Sequence, residues 1–206
     1  MNQTERVDEA IRLATHLHRN QTRRDNNKTP YVSHLFSVAM ILAKVTDDED
    51  IIIAGLMHDS LEDVPHYMYE KLVLDCGKRV ADIVVHVTEP LDANKLENEQ
   101  LPWLTRKEVY LENLKRGGKE SAMVSCADKI HNTENFLTDV AREGDVFLSR
   151  FDSSLRNRLW FHEQSLAIIT EKIGSDHPLV IRLVACTEKF KKLVAENSNE
   201  ELVISN

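Results

Sequence analysis

The chain has 206 residues, 42% of them hydrophobic and 29% charged, enough to build one sizeable core. No stretch approaches the roughly 20 consecutive apolar residues of a membrane span, and the opening Met-Asn-Gln-Thr-Glu-Arg lacks the basic-then-apolar pattern of a secretory signal. A net charge of −8 argues against a general nucleic-acid-binding surface but leaves room for a small phosphorylated ligand, around which a metal and a few arginines reverse the sign locally.

A cytoplasmic protein is expected. Cys76, Cys126 and Cys186 are odd in number and widely spaced, which suits small core residues in a reducing compartment better than a disulfide framework or a metal knuckle. There is no internal repeat. Residues 1–196 read as one domain, and 197–206 as a polar, frayed tail.

Helical periodicity runs through most of the chain. Val7, Ala10, Ile11, Ala14 and Leu17 form one apolar stripe, and Leu35, Val38, Ala39 and Leu42 repeat the pattern after a Thr29-Pro30-Tyr31 turn. Asp47 and Asp48 are candidate caps for a helix carrying Ile51 through Glu62, whose apolar first half predicts a central position. A helix near Tyr67–Leu74 is expected to end at Gly77. The apolar positions 80, 83, 84 and 87 favour a further helix over a strand. Thr88 to Leu104, with Pro90 and Pro102, reads as a long loop, and Thr105 with Glu108 as a capping box opening the next helix, which Gly117-Gly118 ends. Helices over about Ser121–Val140, Asp152–Ile173 and Pro178–Glu196 complete an all-α bundle of about eight to ten helices.

Three short segments carry the chemistry. In Met57-His58-Asp59-Ser60-Leu61-Glu62-Asp63, four titratable groups follow a nearly uninterrupted apolar run. A lone His-Asp pair at a helix end reads as charge meeting solvent, but unpaired charge beside a core is expensive, and that favours a bound metal. On a continuous helix, adjacent residues diverge by about 100°, so His58 and Asp59 converge on one ion only at the edge of a buried face. In Ala127-Asp128-Lys129-Ile130-His131-Asn132, the small, mostly apolar stretch before Asp128 again points a carboxylate toward a core. His34 opens an amphipathic helix after Pro30-Tyr31-Val32-Ser33.

Two imidazoles and two carboxylates form a hard-to-borderline ligand set suited to Mn²⁺, Fe²⁺, Zn²⁺ or Mg²⁺. Such an ion lowers the pKa of bound water and stabilises a charged phosphoryl oxygen, and Glu62 and Asp63 stand one turn beyond, where they could orient or deprotonate that water.

These strings, together with Gln21-Thr22-Arg23-Arg24, resemble the HD phosphohydrolase superfamily. More narrowly, they are similar to the hydrolase domain of RelA/SpoT-type alarmone enzymes and their stand-alone small relatives, from about Val7 to Ile173. The resemblance implies a mostly helical HD-domain bundle, one Mn²⁺, and removal of pyrophosphate from the 3′ position of ppGpp or pppGpp. It implies His34, His58, Asp59 and Asp128 as metal ligands and Glu62 with Asp63 as the pair that handles water. Arg23, Arg24, Asn132, Arg156 and Trp160 would be substrate-side residues.

The chain departs from the family at several points. Lys28 stands where a glycine usually precedes Thr-Pro-Tyr, Leu35 where a proline usually follows the first ligand, and Trp103 near where some relatives carry a phosphate-binding lysine. Two alternatives therefore stand beside the alarmone reading. One is an HD phosphohydrolase acting on another nucleotide or small phosphate ester, and the other a non-catalytic, metal-stabilised nucleotide-binding module. A dinuclear site would need His66 or His86, both poorly placed in the pattern.

Overall fold

A computed structural model describes residues 4–89, 102–151 and 153–204, with side chains as far as Asn197. Eleven helices and an isolated antiparallel bridge between Thr22 and Pro30 make up its regular structure. The all-α expectation holds.

Helix α1 (Glu5–Leu17) starts where the Thr4 hydroxyl accepts from the Val7 N–H, and it buries Val7, Ala10 and Ala14. Helix α2 (Val32–Leu42) follows the Thr29-Pro30-Tyr31 turn. Helix α3 (Glu49–Met57) is capped by Asp48, whose carboxylate accepts from the Asp50 N–H, and every residue from Ile51 to Met57 is buried. Ile52, Ile53, Leu56 and Met57, all nearly inaccessible, each contribute about 1.5–3 kcal/mol of burial.

The helix expected to run unbroken from Ile51 to Glu62 is interrupted. Asp59, at φ −94° and ψ −2°, turns the chain into a separate short helix α4 (Ser60–Asp63). Helices α5 (Tyr69–Cys76) and α6 (Lys78–Val85) are separated by Gly77 at φ +94°, a conformation that glycine adopts without steric cost.

Helix α7 (Trp103–Arg116) begins two residues before the expected capping box, so Thr105 lies inside it. Pro102 sits just before the helix, where its missing N–H costs no intrahelical bond. Residues 90–101 of the expected long loop lie outside the described residues. Helix α8 (Lys119–Glu143) exceeds its expected span at both ends, and a single-turn helix α9 (Asp145–Leu148) follows Gly144. Helix α10 (Leu155–Ile173) is capped by Ser154, with Asp152 outside the described residues. Helix α11 (Pro178–Ile204) continues through most of the stretch expected to fray, because nothing between Asn197 and Ile204 is a glycine or proline that would stop it.

The long helix α8 is the axis of the molecule, packed against α2, α3, α10 and α11. Helix α2 lies so close to α3 that a Cβ on Gly55 would stand 2.5 Å from Leu42 Cδ1. The packing of α2 along both α3 and α8 brings the start of α2, the end of α3 and the middle of α8 to one point. No described helix is long and apolar enough to cross a membrane.

Candidate metal centre and cleft

His34 sits in the first turn of α2, His58 caps α3, Asp59 begins α4, and Asp128 lies in the buried half of α8. Helix α3 ends at Met57, and the two adjacent ligands meet just beyond it. His58 Nε2 lies 3.1 Å from Asp59 Oδ2 although both residues keep near-helical backbone angles, so it is their side chains that converge. The two imidazoles meet with their Nε2 atoms 3.2 Å apart, and Asp128 Oδ1 lies 3.2 Å from His34 Nε2 and 3.6 Å from His58 Nε2. A donor atom from each of His34, His58 and Asp59 lies within 4.8 Å of the others.

The donor set and its spacing fit a divalent cation. Ligands held about 2.1 Å from one ion must stand roughly 3.0–3.4 Å from their neighbours. The His58 Nδ1 lies 2.9 Å from the Gly55 carbonyl, which can only accept, so Nδ1 carries the proton and Nε2 presents a lone pair to the cluster. Electron-rich atoms converging in a buried site repel unless positive charge sits among them. Proton affinities follow the same demand. Burial lowers the proton affinity of both histidines, but at His58 the Asp59 and Asp128 carboxylates prevail and raise it well above the usual imidazole range, drawing in a proton when no cation is present.

The cluster opens into a cleft of about 500 Å³ whose wall includes Arg23, Arg24, Glu62, Asp63 and Asn132. The Glu62 carboxyl is pushed up to about 8 by burial and by the charges of Glu89, Asp59 and Asp63. Arg23 Nη2 donates to Asn132 Oδ1 at 3.1 Å, and Asn132 Nδ2 donates to Asp128 Oδ1, so the basic pair and the ligand shell are joined by one amide. Arg24 donates to the Arg150 carbonyl and lies over the Phe151 ring.

A sequence model of the HD domain matches residues 10–148. The chain belongs to the HD-domain family. It is 33% identical over 127 residues to the guanosine-3′,5′-bis(diphosphate) 3′-pyrophosphohydrolase MESH1 of Xenopus tropicalis, a match covering 60% of this HD-domain protein and 65% of that relative. It is 31% identical over 137 residues to the bifunctional (p)ppGpp synthase/hydrolase SpoT of Escherichia coli, covering 64% of this chain and 18% of SpoT. The chain thus spans less than two thirds of the length of these relatives. Among solved structures, a metazoan ortholog of SpoT that hydrolyzes ppGpp superposes with a TM-score of 0.68 at 22% identity, over 90% of this chain and 96% of that one. The lmo0812 protein of Listeria monocytogenes gives 0.65 at 25%, over 77% and 99%. Both share the fold.

Within this HD-domain protein, Arg156 and Trp160, expected on the substrate side, are not among the residues that line the cleft. Arg156 is exposed, and Trp160 packs partly buried against the core. The face of α10 that reaches the cleft carries Arg158, Phe161 and His162. Those positions follow helical spacing, and residues two apart from Arg158 lie about 200° around the helix from it.

Several cleft residues were not singled out from sequence. Tyr31 donates its hydroxyl to Asp59 Oδ2 at 2.6 Å. Lys129, buried, lies 2.9 Å from Asp128 Oδ2 and 3.2 Å from the Tyr110 hydroxyl. Glu89 is buried, ion-paired to Arg106 and Lys107, and gives its backbone N–H to Glu62 Oε2 at 3.2 Å. The only sequence signal for Lys129 was its place beside Asp128, and for Glu89 none distinguished it from the loop that follows.

Proposed function

We propose that the chain is a divalent-metal-dependent phosphohydrolase that removes the 3′ pyrophosphate of ppGpp or pppGpp, using Mn²⁺. The observation that carries this reading is the convergence, in one cleft, of the four-residue donor cluster, the Glu62–Asp63 pair and the Arg23–Arg24 pair. The activity borne in the names of MESH1 and SpoT supports it. Residues 1–196 would form the single catalytic domain.

His34, His58, Asp59 and Asp128 would hold the cation, which when bound supplies Lewis-acid stabilisation of phosphoryl charge and a more acidic water. Glu62 has the proton affinity of a group that exchanges protons near neutral pH, and it would take the proton of the attacking water. Asp63 would orient that water. Arg23 and Arg24, with fixed positive charge, would neutralise phosphates, and one planar guanidinium can stack on the base.

A second reading, hydrolysis of another phosphorylated nucleotide, draws on Trp103. It lines the cleft near where some relatives of the alarmone type carry a phosphate-binding lysine.

The test is purified protein with Mn²⁺ and a nucleotide panel, with products resolved by chromatography. Conversion of ppGpp to GDP and pyrophosphate, with GTP untouched, is the expected result. Survival of ppGpp while another phosphate ester is cleaved moves the function to the second reading, and no cleavage at all by metal-loaded protein leaves a nucleotide-binding module.

A further inference from the structure

We infer that His131 is a positioning residue of the metal centre, one that fixes the tautomer and ring plane of His34. Two imidazole ligands have to present lone pairs at Nε2, and each needs an acceptor for the proton on its Nδ1. His58 finds one in the Gly55 carbonyl. His34 has no such carbonyl among its bonded partners. Its Nδ1 lies 2.7 Å from Nδ1 of His131, the ring centroids are 4.8 Å apart, and the planes are tilted by 42°.

At that distance one nitrogen must donate and the other accept. If His34 Nε2 faces the cluster as a lone pair, its proton is on Nδ1, and His131 accepts. Neutral His131 then carries its own proton on Nε2. The Asn135 amide lies beside the ring with Nδ2 placed 3.0 Å from Nε2 and 3.2 Å from Nδ1, and exchanging its oxygen and nitrogen puts the oxygen where it accepts that proton. With the amide so turned, the donors run one way, from His34 through His131 to Asn135.

Helical geometry makes the arrangement possible. Asp128, His131 and Asn135 stand at i, i+3 and i+7 on α8, so one face of one helix supplies a ligand, the orienter of another ligand and the partner of that orienter. The remaining ligands come from α2 and from the turn between α3 and α4, and the interlock therefore ties α2 to α8 through the site itself.

The inference rests on the metal-dependent reading above, so its test separates the two. Metal affinity is measured by competition of zinc and manganese with a chelator, in full-length wild type, His131→Leu and His131→Asn. Asparagine places an acceptor oxygen where Nδ1 of the imidazole stands, and leucine places a methyl group there. The expected result is a loss of affinity of about 10–100-fold in His131→Leu, largely recovered in His131→Asn. Alongside it, nitrogen-15 spectra of metal-free protein read the tautomer of His34 and the coupling across the N–H···N bond between the two Nδ1 atoms. Coupling in the wild type supports the inference whether or not metal is taken up, and a wild type that shows the coupling but binds no metal refutes only the metal-dependent reading. Absence of that coupling, or His131→Leu binding metal as tightly as wild type, overturns the role of His131.

Discussion

Removing Asp128 should damage this protein in a way that removing Asp59 does not. Asp128 carries two burdens, because one oxygen faces the imidazoles while the other pairs with Lys129 at 2.9 Å, and both residues are buried. Lys129 has few other polar partners, the Tyr110 hydroxyl at 3.2 Å being its second. Taking one member from a buried ion pair leaves a charge without compensation and costs about 3–5 kcal/mol. In a domain of this size that corresponds to a fall in Tm of roughly 6–20 °C. Asp59 holds no permanently charged side chain: its neighbour His58, protonated in the metal-free site, can release that proton when the carboxylate is removed, and its bonded neighbour Tyr31 can stay neutral. Both Asp59→Ala and Asp128→Ala should lose metal by elemental analysis, but in chelator-treated protein only Asp128→Ala should show the large loss of stability on thermal and urea unfolding. Pairing Asp128→Asn with Lys129→Met removes both charges and should recover most of that loss. Equal stability of the two metal-free alanine variants would refute the assignment of Lys129 as a charge dependent on Asp128.

Other outcomes follow from the same geometry. Glu62→Gln with Asp63→Asn should retain metal while turnover drops by about 10²–10⁴-fold, the range of a general acid–base contribution; near-wild-type turnover would return both residues to a solvated helix end. In metal-free protein, Glu62 titrates at about 8 when folded against 4.5 ordinarily, so the folded state holds a proton that the unfolded chain has released. Its stabilising contribution is complete below the lower value and is lost as pH rises through the upper one. Urea midpoints of chelator-treated wild type should therefore fall between pH 5 and 8 more steeply than those of Glu62→Gln. Arg23→Ala should raise KM more than it lowers kcat, since its contacts form with bound substrate as well as in the transition state; the opposite split, from steady-state kinetics, would give Arg23 a role in the chemical step. Lys28 is held at φ +53°, a region costly for a residue with a Cβ, so Lys28→Gly should stabilise the fold by about 0.5–1 kcal/mol, read as a rise in the urea midpoint.

Local rules made most of this protein legible from its residues. The stripe Val7–Ala10–Ala14 marked the buried face of α1, Asp48 marked the cap of α3, Gly77 the end of α5, and the apolar run Ile51–Met57 the centre of the core, because each depends on neighbours within a turn or two of the chain. The metal residues could be nominated for a similar reason, since carboxylates and imidazoles directly after apolar runs cannot be solvated where they stand. Lys28 was visible as the residue in a glycine's place, and the left-handed backbone there gives the physical content of that exchange.

What only the tertiary structure decided was convergence. The helix breaks at Asp59, which periodicity gave no warning of, and the side chains of His58 and Asp59 meet there with those of His34 and Asp128. Arg158 rather than Arg156 reaches the cleft because the orientation of α10 is set by its packing on α8 and α11. The pairs His34–His131, Lys129–Asp128 and Glu89–Glu62 divide along the same line. Neighbours in the chain offered at most a hint of Lys129, whereas the other two pairs span 97 and 27 residues, and no local preference encodes a hydrogen bond whose partner arrives only when helices pack.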